Sequence, residues 1–243
     1  MTVAELPGAA GGTHPAAPAP PAPARRRRPW WLYLLAFLCI TFSVMSFVRI
    51  VLQDQSLAMR IPYEQYQWLA LHVAFGSVAL MLAWMQVWPW LRTTHPRLHR
   101  RIGWTYFLLG AIPSALLAIP VSLIAGVGHA YRTSLFTLGV LWLATTWFGL
   151  RSAVRGDHAT HRRWMLRNIA CATAIVSARP LTVLHWFGLA GIDPAHYPFE
   201  GDLTYVEAMT AAMWGAVVLH LVIVEWWLLR PRRQGSATTG GAR

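Results

Sequence analysis

The 243-residue chain is 56% hydrophobic and only 12% charged, with a formal net charge of +12. Soluble domains are about 45–50% apolar and about 25% charged, so this composition excludes a soluble fold. The positive charge comes from arginine alone and sits at the ends of apolar runs rather than on one compact face, so nucleic acid is not an expected partner.

Residues 1–24 are mostly Ala, Pro, Gly and Thr and cannot bury a core. With Arg25, Arg26, Arg27 and Arg28 they predict a disordered, basic N-terminal tail over 1–29. No small-residue cleavage site follows the first apolar stretch, so that stretch reads as an uncleaved anchor. Six apolar stretches then follow, over about 30–52, 66–90, 102–127, 133–150, 164–189 and 205–229. A bilayer core takes roughly 20 helical residues, with a range of about 17–25, and all six qualify. Only helices satisfy every backbone group within one segment in lipid. The fold class expected is therefore all-α: an integral membrane bundle of six transmembrane helices over 30–229, followed by a polar, Gly-containing tail over 230–243 that is expected to be disordered.

Arginine placement sets the orientation, because basic residues accumulate in cytoplasmic segments. Arg92, Arg97, Arg100 and Arg101 follow the second stretch. Arg151, Arg155, Arg162, Arg163 and Arg167 flank the gap before the fifth. Together with the basic N-terminal tail, Arg230, Arg232 and Arg233, these predict that both termini are cytoplasmic. Most acidic residues, among them Asp54, Glu64, Asp193, Glu200 and Asp202, fall on the other side. The expected location is the bacterial cytoplasmic (inner) membrane, and the expected partner is the lipid bilayer, including anionic headgroups.

The two expected cytoplasmic turns share one pattern. The first reads Leu91-Arg92-Thr93-Thr94-His95-Pro96-Arg97-Leu98-His99-Arg100-Arg101. The second has Leu150-Arg151, then Asp157-His158-Ala159-Thr160-His161-Arg162-Arg163. In each, Leu-Arg closes one apolar run and His-Arg-Arg opens the next, which suggests a parallel repeat of two helical hairpins. Pro96 suits a first helical turn and Asp157 an N-cap. The His-Arg-Arg segments then lie at helix N-termini, where free N–H groups and the helix dipole favour anions. Arg92, His99, Arg100, Arg101, His161, Arg162 and Arg163 are the candidate anion-binding residues, with lipid phosphate the natural ligand. The plain alternative is that these arginines only set topology. No metal site is expected there, because the histidines sit among cations and no cysteine supplements them. Cys39 and Cys171 lie within apolar runs and read as small buried hydrophobes.

Ionisable residues inside membrane spans are functional candidates. His72, Arg179, His185 and His220 are the ones here. Three readings stay open for them. One is a b-type haem, or quinone-linked redox, site with two of the histidines as axial ligands and Arg179 near a propionate. The second is a proton- or ion-coupled path. The third is interhelical hydrogen bonding. No phosphate-binding Gly-rich loop, Gly-x-Ser-x-Gly or His-Glu-x-x-His is present, so no enzyme class is assigned.

The run His72, Gln86, Leu91-Arg92, Pro96, His99-Arg100, Gly103 and Tyr106, followed by His161-Arg162-Arg163-Trp164-Met165 and Arg179, resembles a bacterial family of membrane proteins catalogued as domain of unknown function 2306. The resemblance covers roughly 66–180. It implies a multi-span inner-membrane protein and carries no established activity, cofactor or substrate.

Overall fold

The computed structural model describes residues 30–52 and 61–228. The expected tails over 1–29 and 230–243, with Asp54 and Arg60, lie outside the described residues. The described chain is helical with no strand. Helix α1 spans Trp30–Val51, and a 3-10 turn, Tyr63–Gln65, leads into α2, Tyr66–Val87. A six-residue helix α3, Pro89–Thr94, precedes α4, Pro96–Tyr106. A π-helical turn, Phe107–Ala111, joins α4 to α5, Ile112–Ile124, so these form one span. Then come α6, His129–Val154, α7, His158–Ile192, and α8, Asp202–Ile223, with a second π-turn at Val224–Leu228.

Six helices are long and apolar enough to cross a membrane, as the composition predicts. Their bounds differ from the hydropathy estimate at several ends. The fourth span is not short: α6 holds 26 residues. Helix α7 holds 35 residues. At 1.5 Å per residue it is roughly 50 Å long, well beyond an apolar core of about 30 Å. Its first turns, with His161, Arg162 and Arg163, therefore extend past the hydrocarbon.

Lipid is as apolar as leucine, so close backbone approach and polar contacts decide which helices pair. Small residues line the seams accordingly. Ala170, Ala174 and Ala178 of α7 recur every fourth residue, as do Ala208, Ala212 and Ala216 of α8, and all are buried. The second and third spans form an antiparallel hairpin in a steady register. A Cβ on Gly76 would lie 3.0 Å from the Ser114 Oγ, and one on Gly110 only 2.9 Å from the Ala79 Cα. Helix α1 sits at the periphery, with only Leu32, Cys39 and Ser43 buried. Ser43 donates to the Cys39 carbonyl of its own helix at 2.7 Å, and Ser77 donates to the Ser43 carbonyl across the seam at 3.5 Å.

A polar knot joins the third, fourth and fifth spans. The fully buried Tyr106 hydroxyl donates to Asn168 Oδ1. Asn168 Nδ2 donates to Thr146 Oγ1 at 2.7 Å and to Thr145 Oγ1 at 3.2 Å. Both threonine hydroxyls donate in turn to α6 carbonyls, Leu141 and Trp142, so their lone pairs are free to accept. The π-turn begins one residue after Tyr106. Such turns insert a residue into the helical ladder and re-aim neighbouring side chains.

Gly110→Ala is expected to lower the thermal midpoint in detergent, because overpacking a closed seam costs about 1–3 kcal/mol. Gly188→Ala, where an added Cβ meets nothing within 4 Å, is the control and should leave the midpoint unchanged or raised. Equal midpoints for the two variants would show that the hairpin is not closed at Gly110.

Candidate functional site

Two prolines shape the first turn. The residue before a proline avoids the helical region. Trp88, before Pro89, is extended at ψ 111°, and His95, before Pro96, leaves the helix at φ −129°, ψ 62°. Each proline then opens a helix at its first turn, as expected for Pro96. Leu91, 1% exposed, anchors the short helix between them. In α4, His99, Gly103 and Tyr106 lie three or four residues apart and so share one face. His99 is half-buried on that face, whereas Arg97, Arg100 and Arg101 are exposed.

The second turn is built differently. Gly156 takes φ +75°, which a side chain would strain, and ends α6. Asp157 caps α7 by accepting from the Thr160 N–H at 3.0 Å, the N-cap role its position suggests. That amide, then the Thr160 hydroxyl and the charge of Arg163, hold its carboxyl below the usual aspartate range. His161 turns inward, and its Nδ1 donates to the Gly149 carbonyl at 2.8 Å. Arg162 and Arg163 are exposed.

The two turns meet. His99 lies within electrostatic reach of His161 and of Arg92. Of the seven candidate anion-binding residues, Arg92, His99 and His161 are therefore gathered, with Arg100, Arg101, Arg162 and Arg163 exposed on the same two helix starts. Three polar atoms at this end are buried without a hydrogen-bond partner: Nδ1 of His99, Nε2 of Gln86 and Nε1 of Trp84. Gln86, in the last turn of α2, packs against Gly103, where a built Cβ would lie 3.5 Å from its Oε1. Tryptophan rings border this end. Trp84, Trp88 and Trp90 follow one another at 5.9 and 4.8 Å, and His95 lies 4.5 Å beyond Trp90. On α7, Arg167 lies over the Trp164 ring at 4.8 Å and pairs with Glu225 through contacts of 2.5 and 3.0 Å.

The intramembrane set is arranged otherwise. His72 Nδ1 donates to the Ser114 carbonyl at 2.9 Å, between the second and third spans. His185 Nδ1 donates to Leu181 of its own helix at 2.8 Å. His220 bridges α8 to α7, with Nδ1 2.9 Å from the Ala170 carbonyl and Nε2 2.9 Å from the Ser177 hydroxyl. The Arg179 guanidinium lies 5.9 Å from the Phe42 ring centre. No hydrogen bond, ring contact or electrostatic interaction among the described residues joins any two of these four. Sequence reasoning did not pick out Gln86 as part of a site. Its signals are a lone amide among apolar residues near the end of the second stretch and a place in the run that resembles the family.

The family model described as a predicted membrane protein, domain of unknown function 2306, matches residues 69–228. The chain belongs to that family. The match covers about two thirds of the chain and takes in both turns, the polar knot and all six-span elements from α2 onward. Neither a curated protein nor a solved structure matches.

The depressed Asp157 carboxyl stabilises the α7 start at neutral pH, and this contribution is lost as the pH falls through its folded value. Asp157→Asn keeps a capping oxygen without the charge. Between pH 7 and strongly acidic pH its thermal midpoint should fall less than that of the wild type. Parallel curves would show that the carboxylate is not what holds the cap.

Proposed function

We propose that this protein is a non-enzymatic module of the bacterial cytoplasmic membrane that binds an anionic group at the end where its two Arg-His turns meet. Both termini and both turns face the cytoplasm in this reading, with the two hairpins as a parallel repeat, because the arginines concentrate at that end. The observation that carries it is Nδ1 of His99, buried with no hydrogen-bond partner at the end that holds both arginine-rich turns, with His161 and Arg92 within electrostatic reach. Arginines that served only to set topology would have no reason to be accompanied by half-buried imidazoles on both helix starts. A phosphate or carboxylate there would meet guanidinium and imidazole donors together.

Glycerol 3-phosphate binding to the detergent-purified protein, followed by calorimetry, tests this. Arg92→Gln with His99→Ala is expected to weaken binding by about tenfold or more, since hydrogen bonds to charged groups contribute about 1.5–3 kcal/mol each. Unchanged affinity in the double variant, or failure of the wild type to bind any phosphate ester, would refute it.

A b-type haem is the second reading. His72 and His185 each place Nδ1 on a backbone carbonyl, the arrangement that fixes a ligating imidazole and leaves Nε2 forward. His220 fits less well, because its Nε2 already meets Ser177. The absorption spectrum of protein expressed with ample haem decides it. A Soret band with sharp α and β bands after reduction supports this reading, and a featureless spectrum at full yield removes it.

A further inference from the structure

The Gln86 amide is not accounted for by a small anion. It lies one helical turn deeper than His99 along the same face of α4, since it packs on Gly103. Its Nε2 is buried with no partner, and turning the amide over would only leave the other polar atom in that place. An unmet buried polar group is costly, because it has given up water and gained no partner. A phosphate held by Arg92, His99 and His161 satisfies the rim and leaves this amide unmet. The ligand therefore needs a neutral acceptor set inward from its charge. The surroundings say which way it lies. Trp90, Leu98 and Trp104 expose apolar surface beside the site, which suits the level where headgroups meet hydrocarbon. A glycerophospholipid has this pattern, with acyl-ester carbonyls between its phosphate and its chains.

Building on the anion-binding reading above, we propose that the site takes an anionic glycerophospholipid. Its phosphate lies on Arg92, His99 and His161, and one ester carbonyl accepts from Gln86 Nε2. Gln86 is then the residue that separates a lipid from a free phosphate ester, and the arginine–histidine rim supplies the shared affinity for both.

The test compares three probes on the full-length protein in detergent: dihexanoyl phosphatidic acid, its dihexyl ether analogue, which lacks the carbonyls, and glycerol 3-phosphate. The wild type should bind the ester about tenfold more tightly than the ether, the worth of one well-formed hydrogen bond. Gln86→Leu should abolish that preference, lowering the affinity for the ester to that for the ether. Equal wild-type affinity for ester and ether overturns the proposal without needing the variant to fold, and leaves the anion site standing if glycerol 3-phosphate binds. An ester preference that persists in Gln86→Leu overturns the assignment to Gln86. Failure of all three probes to bind overturns this proposal and the anion-binding reading together.

Discussion

In a bilayer the ordinary driving force for packing is missing, because an acyl chain solvates leucine as well as a neighbouring helix does. What remains is close approach and hydrogen bonding, and here the two converge on Asn168. One side chain accepts from Tyr106 of the third span and donates to two threonines of the fourth. Neither Tyr106 nor Asn168 has exposed surface, so no water or lipid headgroup competes for these bonds. The threonine hydroxyls donate to their own helix, which orients their lone pairs toward Asn168. The knot thus fixes rotation as well as distance for three helices. Small-residue seams then close the gaps on either side of it.

That rotation positions the end where the turns meet. Tyr106 and His99 share one face of α4, so a helix turned to bring Tyr106 to Asn168 also turns His99 inward. Asn168 and His161 are seven residues apart on α7, two turns of one face, so the same contact directs His161 toward the same interior. The prolines and Gly156 decide where each helix begins, and the knot decides which way its first turn looks. The arginines neighbouring each histidine in sequence fall on the outward faces and stay exposed.

Much of this is legible in the sequence because it rests on local rules. Pro96 marks a first turn, Asp157 marks a cap, and uncharged runs mark spans. The ends of α6 and α7 are not legible from hydropathy. Residues 158–163 are His- and Arg-rich and fall outside the fifth apolar stretch, so only the Asp157 cap signals that the helix starts there; beyond the hydrocarbon water satisfies a charged helix surface, and nothing in those residues breaks a helix. Convergence is not legible either. His72, His185 and His220 look alike as lone histidines in apolar runs, and spacing along one helix says nothing about which neighbour it faces. Gln86 was hidden for the same reason: its meaning comes from Gly103, seventeen positions away and on another helix.

The histidines divide by what holds their Nδ1. In His72, His161, His185 and His220 that nitrogen meets a backbone carbonyl, which settles the ring and supplies the bond that a buried imidazole needs. Each is thereby accounted for as part of the bundle, whatever else its Nε2 does. His99 breaks the pattern, with Nδ1 buried and unmet, and cationic neighbours in place of an acceptor. Gln86 breaks it beside His99, on the adjoining span. A bundle that satisfies isolated histidines by hydrogen bonds deep in its spans leaves these two polar groups, and the Trp84 indole N–H, unmet at one end. Unmet groups gathered in one place, next to arginine and facing the headgroup level, are better explained by a ligand than by chance defects in packing.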